Sequence, residues 1–184
     1  KVFKFYHLRG AHNPYTLNAQ LQNEELPQNR SGCKEQAKAA LKIAGELIAQ
    51  LKKHDVYDES MIFIVGDHGN PWGSVDLNVG ALRENGELHS DQVDKKIVTS
   101  GIPLMLVKPF NASGELIISD APVTLGDISQ TIALELQLSD EFPGASIFSL
   151  NESDDRERRY FYYAWDDSWD KEYLPQIKEY VING

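Results

Sequence analysis

The 184-residue chain has a single cysteine, Cys33, so it cannot form an intramolecular disulfide. One thiol near the start of a predicted helix is more typical of a small packing residue than of a reactive group. The sequence also lacks an apolar run long enough to cross a membrane as a helix, and it shows no signal peptide. Because 41% of its residues are hydrophobic, the chain still contains enough apolar material for a packed core.

Positive charge is scarce in this sequence. Lys and Arg total 18 against 28 for Asp and Glu, so the formal net charge at pH 7 is −10. Nucleic acid is therefore not expected as a partner, because phosphate binding requires clustered Lys and Arg. The acidic balance is compatible with a site for a divalent cation, although most of it is ordinary solvated surface. The chain length predicts one domain over residues 1–184.

An initiator Met is missing as well, since the chain starts at Lys1, directly before the apolar run of residues 2–8. Natural domains rarely begin in the middle of a strand. This start therefore predicts a fragment of a longer parent protein whose upstream sequence, with any targeting signals in it, has been removed. Three Asn-x-Ser sequons, at Asn29, Asn111 and Asn151, are short enough to arise by chance and assign no compartment.

Apolar periodicity predicts an alternation of strands and helices. Runs rich in β-branched and aromatic residues predict strands at residues 2–8, 61–65, 104–110, 159–165 and 179–182. Apolar residues spaced by three and four predict helices at residues 31–53 and 124–138. Residues 11–30 and 70–99 are polar and are predicted to be loops. This order is typical of an α/β fold with a mixed or mostly parallel sheet.

The starts of both predicted helices carry capping signals. Ser31 is a suitable N-cap for the first helix, because its hydroxyl can accept a hydrogen bond from the first turn. Thr124 and Asp127 have the spacing of a capping box before the second helix. Both helices are therefore expected to begin at or close to these residues.

Asp67-His68-Gly69 directly follows the predicted buried strand and Gly66. Ligand sites in open α/β sheets gather at the carboxyl ends of strands, and an adjacent carboxylate and imidazole offer one oxygen and one nitrogen ligand. Gly69 allows a sharp turn, so that both side chains can face one pocket. Asp, His and Gly are also common in ordinary polar turns. From the tripeptide alone, a turn without a metal is the favoured interpretation.

Three further histidines are candidates for contact with an anionic substrate or its leaving group. His7 and His12 flank a glycine turn after the first predicted strand, in the segment HLRGAHNPY. His89 lies in the predicted loop that follows the Asp67-His68 turn. Taken by themselves, His7 and His12 are better interpreted as one partly buried and one surface histidine. For His89, a solvent-exposed position without function is as plausible as a role at the site.

The motifs occur in a characteristic order. HLRGAHNPY precedes a polar loop and a long helix, then comes DVYDESMIFIVGDHG, and later IPLMLVKPF and APVTLGDISQTIALEL. This order resembles the second half of bacterial proteins of the sulfatase and alkaline phosphatase superfamily. The resemblance covers residues 1–150, whereas the aromatic-rich residues that follow are less diagnostic of this family. It implies an alkaline-phosphatase-like mixed sheet with flanking helices, of which this chain is an incomplete C-terminal portion.

The resemblance also implies roles for individual residues. Asp67 and His68 match the late metal-ligand pair of the family, so a divalent ion (Ca, Mn, Zn or Mg) is expected as cofactor. His12 and His7 match histidines near the transferred group in phosphoethanolamine and phosphoglycerol transferases. His89 is similar to a substrate-proximal histidine of those enzymes, although here it follows His68 within a longer loop that contains Trp and Gly.

The nucleophile of the family has no counterpart in this chain. Its members use a formylglycine made from Cys or Ser, or an unmodified Thr or Ser, in their N-terminal half. Cys33 is not in a Cys-x-Pro-x-Arg context, and that motif occurs nowhere in the sequence. The resemblance therefore implies that the parent hydrolyses sulfate esters through a metal-activated hydroxyl, while this part alone is inactive.

Two alternatives stay open from the sequence. One is a phosphoalkyl transferase of the bacterial envelope, whose parent has hydrophobic spans before the catalytic domain. The other is a non-catalytic homologue that binds anionic glycans. If the parent is an enzyme, its expected partner is a sulfate- or phosphate-ester substrate on a glycan or lipid. Its catalytic domain is expected to face the periplasm or the cell exterior. The transferase alternative adds an inner-membrane anchor.

Overall fold

The computed structural model describes residues 2–70, 82–84, 87–89, 99–139, 142–163 and 177–182, with only the backbone at 82–84 and 87–89. The chain divides into two compact units. The first unit contains Lys1–Gly66 and Leu104–Gly114, and the second contains Asp67–Pro103 and Glu115–Gly184. The single domain inferred from chain length stays a prediction.

Helix α1, Arg30–Lys53, is the main element of the first unit. Its N-cap is Asn29, not the predicted Ser31, because the Asn29 Oδ1 accepts hydrogen bonds from the backbone N–H groups of Ser31 and Gly32. An Asx side chain two residues before Ser31 satisfies free N–H groups of the first turn, as an N-cap does. The helix ends at His54, with Lys52 and Lys53 in its last turn, as the helix dipole favours.

The buried residues of α1 all lie in its N-terminal half. They are Gly32, Cys33, Gln36 and Ala39. Tyr15 and Leu26 from the preceding loop pack with Cys33 as a small core cluster, so Cys33 is the packing residue that its position predicted. The apolar stripe continues towards the C-terminus of α1, but there Leu41 and Leu47 are exposed.

Two strands form an antiparallel ribbon in the first unit. Strand β1 spans Ile62–Val65 and strand β4 spans Met105–Lys108, with Ile62 opposite Lys108 and Val65 opposite Met105. Both strands lie within predicted strand segments. The expectation that β1 is fully buried was wrong, because Val65 is exposed and the other three residues are half-buried.

The strand predicted at residues 2–8 was also wrong. Residues 2–9 have no secondary structure, although their composition favours a strand. Val2, Phe3, Phe5 and Tyr6 are exposed. A strand forms only where a neighbouring strand completes its backbone hydrogen bonds, and the described residues provide none for this segment.

The second unit contains a four-stranded sheet in the order β3-β2-β6-β5. Its strands are β2 Leu82–Glu84, β3 Glu87–His89, β5 Arg158–Tyr162 and β6 Lys178–Ile182. All described pairings in the protein are antiparallel, whereas a mixed or mostly parallel sheet was expected. The coarse α/β class is confirmed.

The remaining elements of the second unit lie between β4 and β5 in sequence. Helix α2 spans Asp127–Leu136, inside the helix predicted at 124–138, and a single 3-10 turn follows at Ile147–Ser149. Tyr180 and Val181 of β6 are buried, and the Tyr180 ring lies 6.2 Å from the Tyr160 ring of β5. Among the described residues, no helix has the length and apolar composition needed to span a membrane.

Candidate metal centre

Asp67 and His68 come two and three residues after β1 in sequence, and their side chains are 89% and 62% exposed, respectively. The carboxylate folds back on its neighbour, since Asp67 Oδ1 accepts a hydrogen bond of 3.1 Å from the His68 backbone N–H. The same oxygen lies 3.8 Å from His68 Nε2. The turn therefore brings the two predicted metal-ligand atoms, Asp67 Oδ1 and His68 Nε2, close to each other.

The orientation of the His68 ring favours Nε2 as the ligand atom. His68 Nδ1 is within hydrogen-bond distance of the Gly69 carbonyl oxygen, and a carbonyl can only accept. In the neutral imidazole, this contact places the proton on Nδ1 and leaves the lone pair on Nε2. A backbone carbonyl bound to the other ring nitrogen is the usual support for a metal-binding histidine.

The distance between the two candidate ligand atoms fits a shared ion. Zinc-like ions sit about 2.0–2.2 Å from oxygen and nitrogen ligands, so two ligands of one ion are at most about 4.2 Å apart. The separation of 3.8 Å between Asp67 Oδ1 and His68 Nε2 satisfies that limit. Both groups are the ligand types that Zn and Mn accept, while the carboxylate also suits Ca and Mg.

Gly69 is required by close packing of the backbone. A Cβ at this position would lie 1.9 Å from the Thr99 carbonyl oxygen and 2.5 Å from that of Ile102. The Gly69 N–H also donates a hydrogen bond of 2.7 Å to the Ser100 carbonyl. The sequence suggested Gly69 as a turn residue, but its decisive property is the missing side chain, which lets residues 99–102 approach the turn.

Two ligands do not make a complete site. No group of three or more His, Cys, Asp or Glu side chains that could hold a metal occurs among the residues that the structure describes. A structural or catalytic zinc site needs at least three protein ligands. Asp67 and His68 alone are therefore expected to bind a divalent ion weakly.

His12 belongs to the first unit, in the loop that precedes α1. Its side chain is exposed, and its Nδ1 lies 2.5 Å from the Asn13 carbonyl, which also accepts a hydrogen bond of 2.9 Å from Arg9. His7 is exposed within residues 2–9. His12 is thus held by local contacts, while His7 lies in a segment without secondary structure.

Gln36 holds the backbone of the loop that carries His12. Its Oε1 accepts hydrogen bonds from the backbone N–H groups of Thr16 and Leu17, at 2.7 and 3.3 Å. Its Nε2 donates to the carbonyls of Gly10 and His12, at 3.2 and 2.6 Å. These four bonds use the full capacity of the buried amide, and sequence reasoning did not identify this role.

His89 lies in β3, whereas it was predicted in a loop. Its Cα pairs with that of Leu82 in the β2–β3 hairpin. The sequence contains a signal for this hairpin that the prediction missed, because the dipeptide Asn-Gly at positions 85–86 is a sequence pattern that favours hairpins. The placement of His89 in a strand leaves its role near a substrate as a prediction.

The chain was also compared with protein-family models, with curated proteins and with solved structures. None of the three comparisons gives a match. The resemblance to the sulfatase and alkaline phosphatase superfamily therefore stays a prediction from the motifs and their order in the sequence.

The most buried ion pair found among the described residues lies elsewhere in the second unit. Asp127, fully buried at the start of α2, accepts hydrogen bonds of 2.7 and 2.8 Å from the two terminal nitrogens of Arg156. Backbone N–H groups of Thr124 and Ala145 donate to the same carboxylate. Arg156 belongs to the charged run at residues 154–159, yet its side chain is only 25% exposed because it takes part in this contact.

These contacts change the acidity of Asp127. Burial by itself raises the pKa of this carboxyl, but the hydrogen bonds from Arg156, Ala145 and Thr124 outweigh it and lower the pKa to about 2. The same ion pair raises the pKa of Arg156. A carboxylate whose oxygens are saturated by protein donors is a structural anchor, because it has no lone pair directed to a ligand.

Proposed function

We propose that this chain is the C-terminal part of a metal-dependent enzyme of the sulfatase and alkaline phosphatase superfamily, which hydrolyses sulfate esters. In this proposal the chain contributes Asp67 and His68 as two ligands of a divalent metal ion. The observation that carries it is the separation of 3.8 Å between Asp67 Oδ1 and His68 Nε2, with Nδ1 engaged by the Gly69 carbonyl. The alkaline-phosphatase-like sheet belongs to the same proposal.

The roles of the residues follow from their chemistry. The ion, when bound, supplies positive charge that activates the nucleophile and stabilises the developing negative charge on the ester oxygens. Asp67 and His68 hold it, and His68 must be neutral to do so. His12, His7 and His89 are assigned to the substrate oxygens or the leaving group, where an imidazole can donate a hydrogen bond or a proton. The nucleophile comes from the N-terminal part of the parent.

A phosphoalkyl transferase of the envelope is the second candidate. The observation in its favour is the support of the His12 loop, in which Gln36 binds the His12 carbonyl at 2.6 Å and the Thr16 N–H at 2.7 Å. A histidine that contacts a transferred phosphoryl group needs a fixed position, because misplacement by about 1 Å can lower the rate by about 10²-fold. A glycan-binding homologue without catalysis is the third reading.

Titration with Mn²⁺, followed by paramagnetic broadening of the histidine side-chain resonances, tests the metal ligands. We expect His68 to broaden at lower Mn²⁺ concentration than His54, which also neighbours an aspartate, Asp55, and is also exposed. D67N should remove the selective response of His68, since this change takes away one of the two ligands.

D55N is the matched control for D67N, because it changes an exposed aspartate beside a histidine without touching the proposed centre. Asn also tolerates the positive φ of 55° at this position. It should leave the response of His68 unchanged. Equal broadening of His54 and His68, or a response that survives D67N, would refute the assignment of the ligands. Turnover of aryl sulfates or aryl phosphates by this chain that D67A abolishes would show that it contains its own nucleophile.

A further inference from the structure

Two exposed apolar segments with opposite charge stand out in the structure. The first, here called the basic segment, is residues 2–9, with sequence VFKFYHLR. Phe3 and Phe5 are 70% and 77% exposed, and Tyr6 and Leu8 are also exposed. An apolar and aromatic run of this kind is rarely left in water unless something binds it.

The second, here called the acidic segment, is residues 115–120, with sequence ELIISD. Leu116, Ile117 and Ile118 are more than 80% exposed. Glu115 and Asp120 flank these three residues, and the segment has no strand assignment. Its β-branched residues favour an extended conformation, as do the aromatic residues of the basic segment.

Both segments have backbone groups without a sheet partner in the described part of the chain. The backbone hydrogen bonds found there involve only their ends, where the Arg9 carbonyl accepts from His12 and the Asp120 N–H donates to Glu152. Extended apolar segments with unpaired N–H and C=O groups are templates for pairing with another strand.

The charges of the segments are complementary. The basic segment contains Lys4 and Arg9 and no acid, so it carries +2, and the rest of the chain carries −12, since the total is −10. In an antiparallel alignment that places Lys4 opposite Asp120, Arg9 falls opposite Glu115. The same alignment places Tyr6 opposite Ile118 and Leu8 opposite Leu116. Both ion pairs and the apolar pairs are thus satisfied in a single register, as cross-strand pairing requires.

We propose that the basic segment of one copy of this chain pairs, as an antiparallel strand, with the acidic segment of a second copy. The second copy is the partner because it carries the acid-flanked segment that matches the register of Lys4 and Arg9. The pairing converts exposed apolar surface and open backbone groups into an interface between copies. It does not depend on the proposed enzymatic function.

Charge reversal combined with measurement of molar mass by light scattering tests this pairing. The wild-type chain should show a mass above that of the monomer that falls on dilution. K4E/R9E should raise the dissociation constant by on the order of tenfold or more, because it places like charges opposite each other. E115K/D120K should weaken self-association to a similar extent.

The decisive measurement is a mixture of the two variants. K4E/R9E and E115K/D120K restore opposite charges to each other, so an equimolar mixture should associate more tightly than either variant alone at the same total concentration. K34E/K42E is the matched control, because it makes the same change of net charge at exposed positions of α1. Circular dichroism verifies that all variants are folded.

Several outcomes would overturn the proposal. A monomeric wild-type chain at all concentrations would exclude pairing between copies, as would a mixture of the two variants that does not associate. Equal weakening by K34E/K42E would show a general effect of net charge. Charge dependence without any change of molar mass would refute the assignment to a second copy.

Discussion

Gly69 links the Asp67-His68 turn to the backbone of residues 99–102. Its N–H binds the Ser100 carbonyl, and there is no room for a Cβ beside the Thr99 carbonyl. Because the obstacle is backbone rather than a flexible side chain, a larger residue must move the turn itself. The geometry of the two candidate ligands therefore depends on a residue that has no functional group.

Replacement of Gly69 by alanine should destabilise the protein and impair the metal site together. We expect a loss of about 1–3 kcal/mol in the free energy of unfolding, the usual cost of overpacking, measured by denaturant titration. The selective broadening of His68 by Mn²⁺ should also weaken. G45A is the control, because nothing lies within 4 Å of a Cβ at Gly45 in α1. That change should stabilise the helix by about 0.5–1 kcal/mol, and a G69A protein as stable as the wild type would contradict the packing argument.

Gln36 has a similar importance for the His12 loop. Q36L introduces an apolar side chain of similar size and removes the four hydrogen bonds of the amide, so partly buried backbone groups such as the Thr16 N–H lose their partner. We expect a cost of about 2–4 kcal/mol, since each buried unsatisfied group costs about 1–3 kcal/mol. Amide hydrogen exchange of Thr16 and Leu17 should accelerate by at least as much as the global loss of stability implies.

Q50L serves as the control for Q36L, because Gln50 is exposed on the same helix. A surface change of this kind usually alters stability by less than about 0.5 kcal/mol. If Q36L were as harmless as Q50L, the loop around His12 would not depend on the buried amide.

At the scale of elements, the start of α2 is joined to two other segments through one carboxylate. Asp127 binds the Ala145 N–H, beyond the C-terminus of the helix, and Arg156, just before β5. Gly144 lies so close that a Cβ there would be 2.8 Å from Asp127 Oδ1. Thr131, one turn along α2 and also fully buried, accepts from the Ile147 N–H. Helix and loop are therefore connected by polar contacts in a buried environment.

The low pKa of Asp127 predicts how stability changes in acid. A carboxyl with a pKa of about 2 in the folded protein and the ordinary value of 3.8 when unfolded stabilises the fold fully above pH 4. This contribution is lost as the pH falls from about 4 to about 2, with a limiting slope of about 1.4 kcal/mol per pH unit. Denaturant titrations at several pH values measure it.

D127N isolates this carboxyl from the other acids. It should lower stability at pH 7 by about 3 kcal/mol, because it leaves the half-buried Arg156 without its counter-charge. It should also reduce the slope between pH 4 and pH 2. D155N is the control, because Asp155 is exposed, and it should change neither quantity. An unchanged acid slope in D127N would assign the pH dependence to other carboxyls.

The elements also differ in how far sequence predicted them. The first helix was predicted to within one residue, because its apolar spacing, its polar start and its basic last turn all agree. The hairpin of β2 and β3 was missed, since strands of three residues are too short for periodicity to detect. The strand expected at residues 2–8 has the right composition, but the part of the chain that the structure describes offers it no neighbouring strand, and composition cannot supply one.

At the scale of the whole molecule, the sequence identified the α/β class and the Asp67-His68-Gly69 turn. Sheet order and direction were not predictable, because pairing depends on contacts between segments that are distant in sequence. The described strands pair only in antiparallel fashion. The exposure of the basic and acidic segments likewise followed only from the folded chain, since their composition alone is that of ordinary strands.

Local chemistry determined what the sequence could specify by itself. The span of α1, the turn of Asp67, His68 and Gly69 and the excess of acidic residues all depend on neighbours in sequence or on simple counts. Tertiary structure decided the rest: Asp127 and Arg156 are 29 residues apart, and only the fold makes them a buried pair. The physical reason is that burial and strand pairing depend on which distant segments meet, whereas helix ends and turns depend on residues within a few positions.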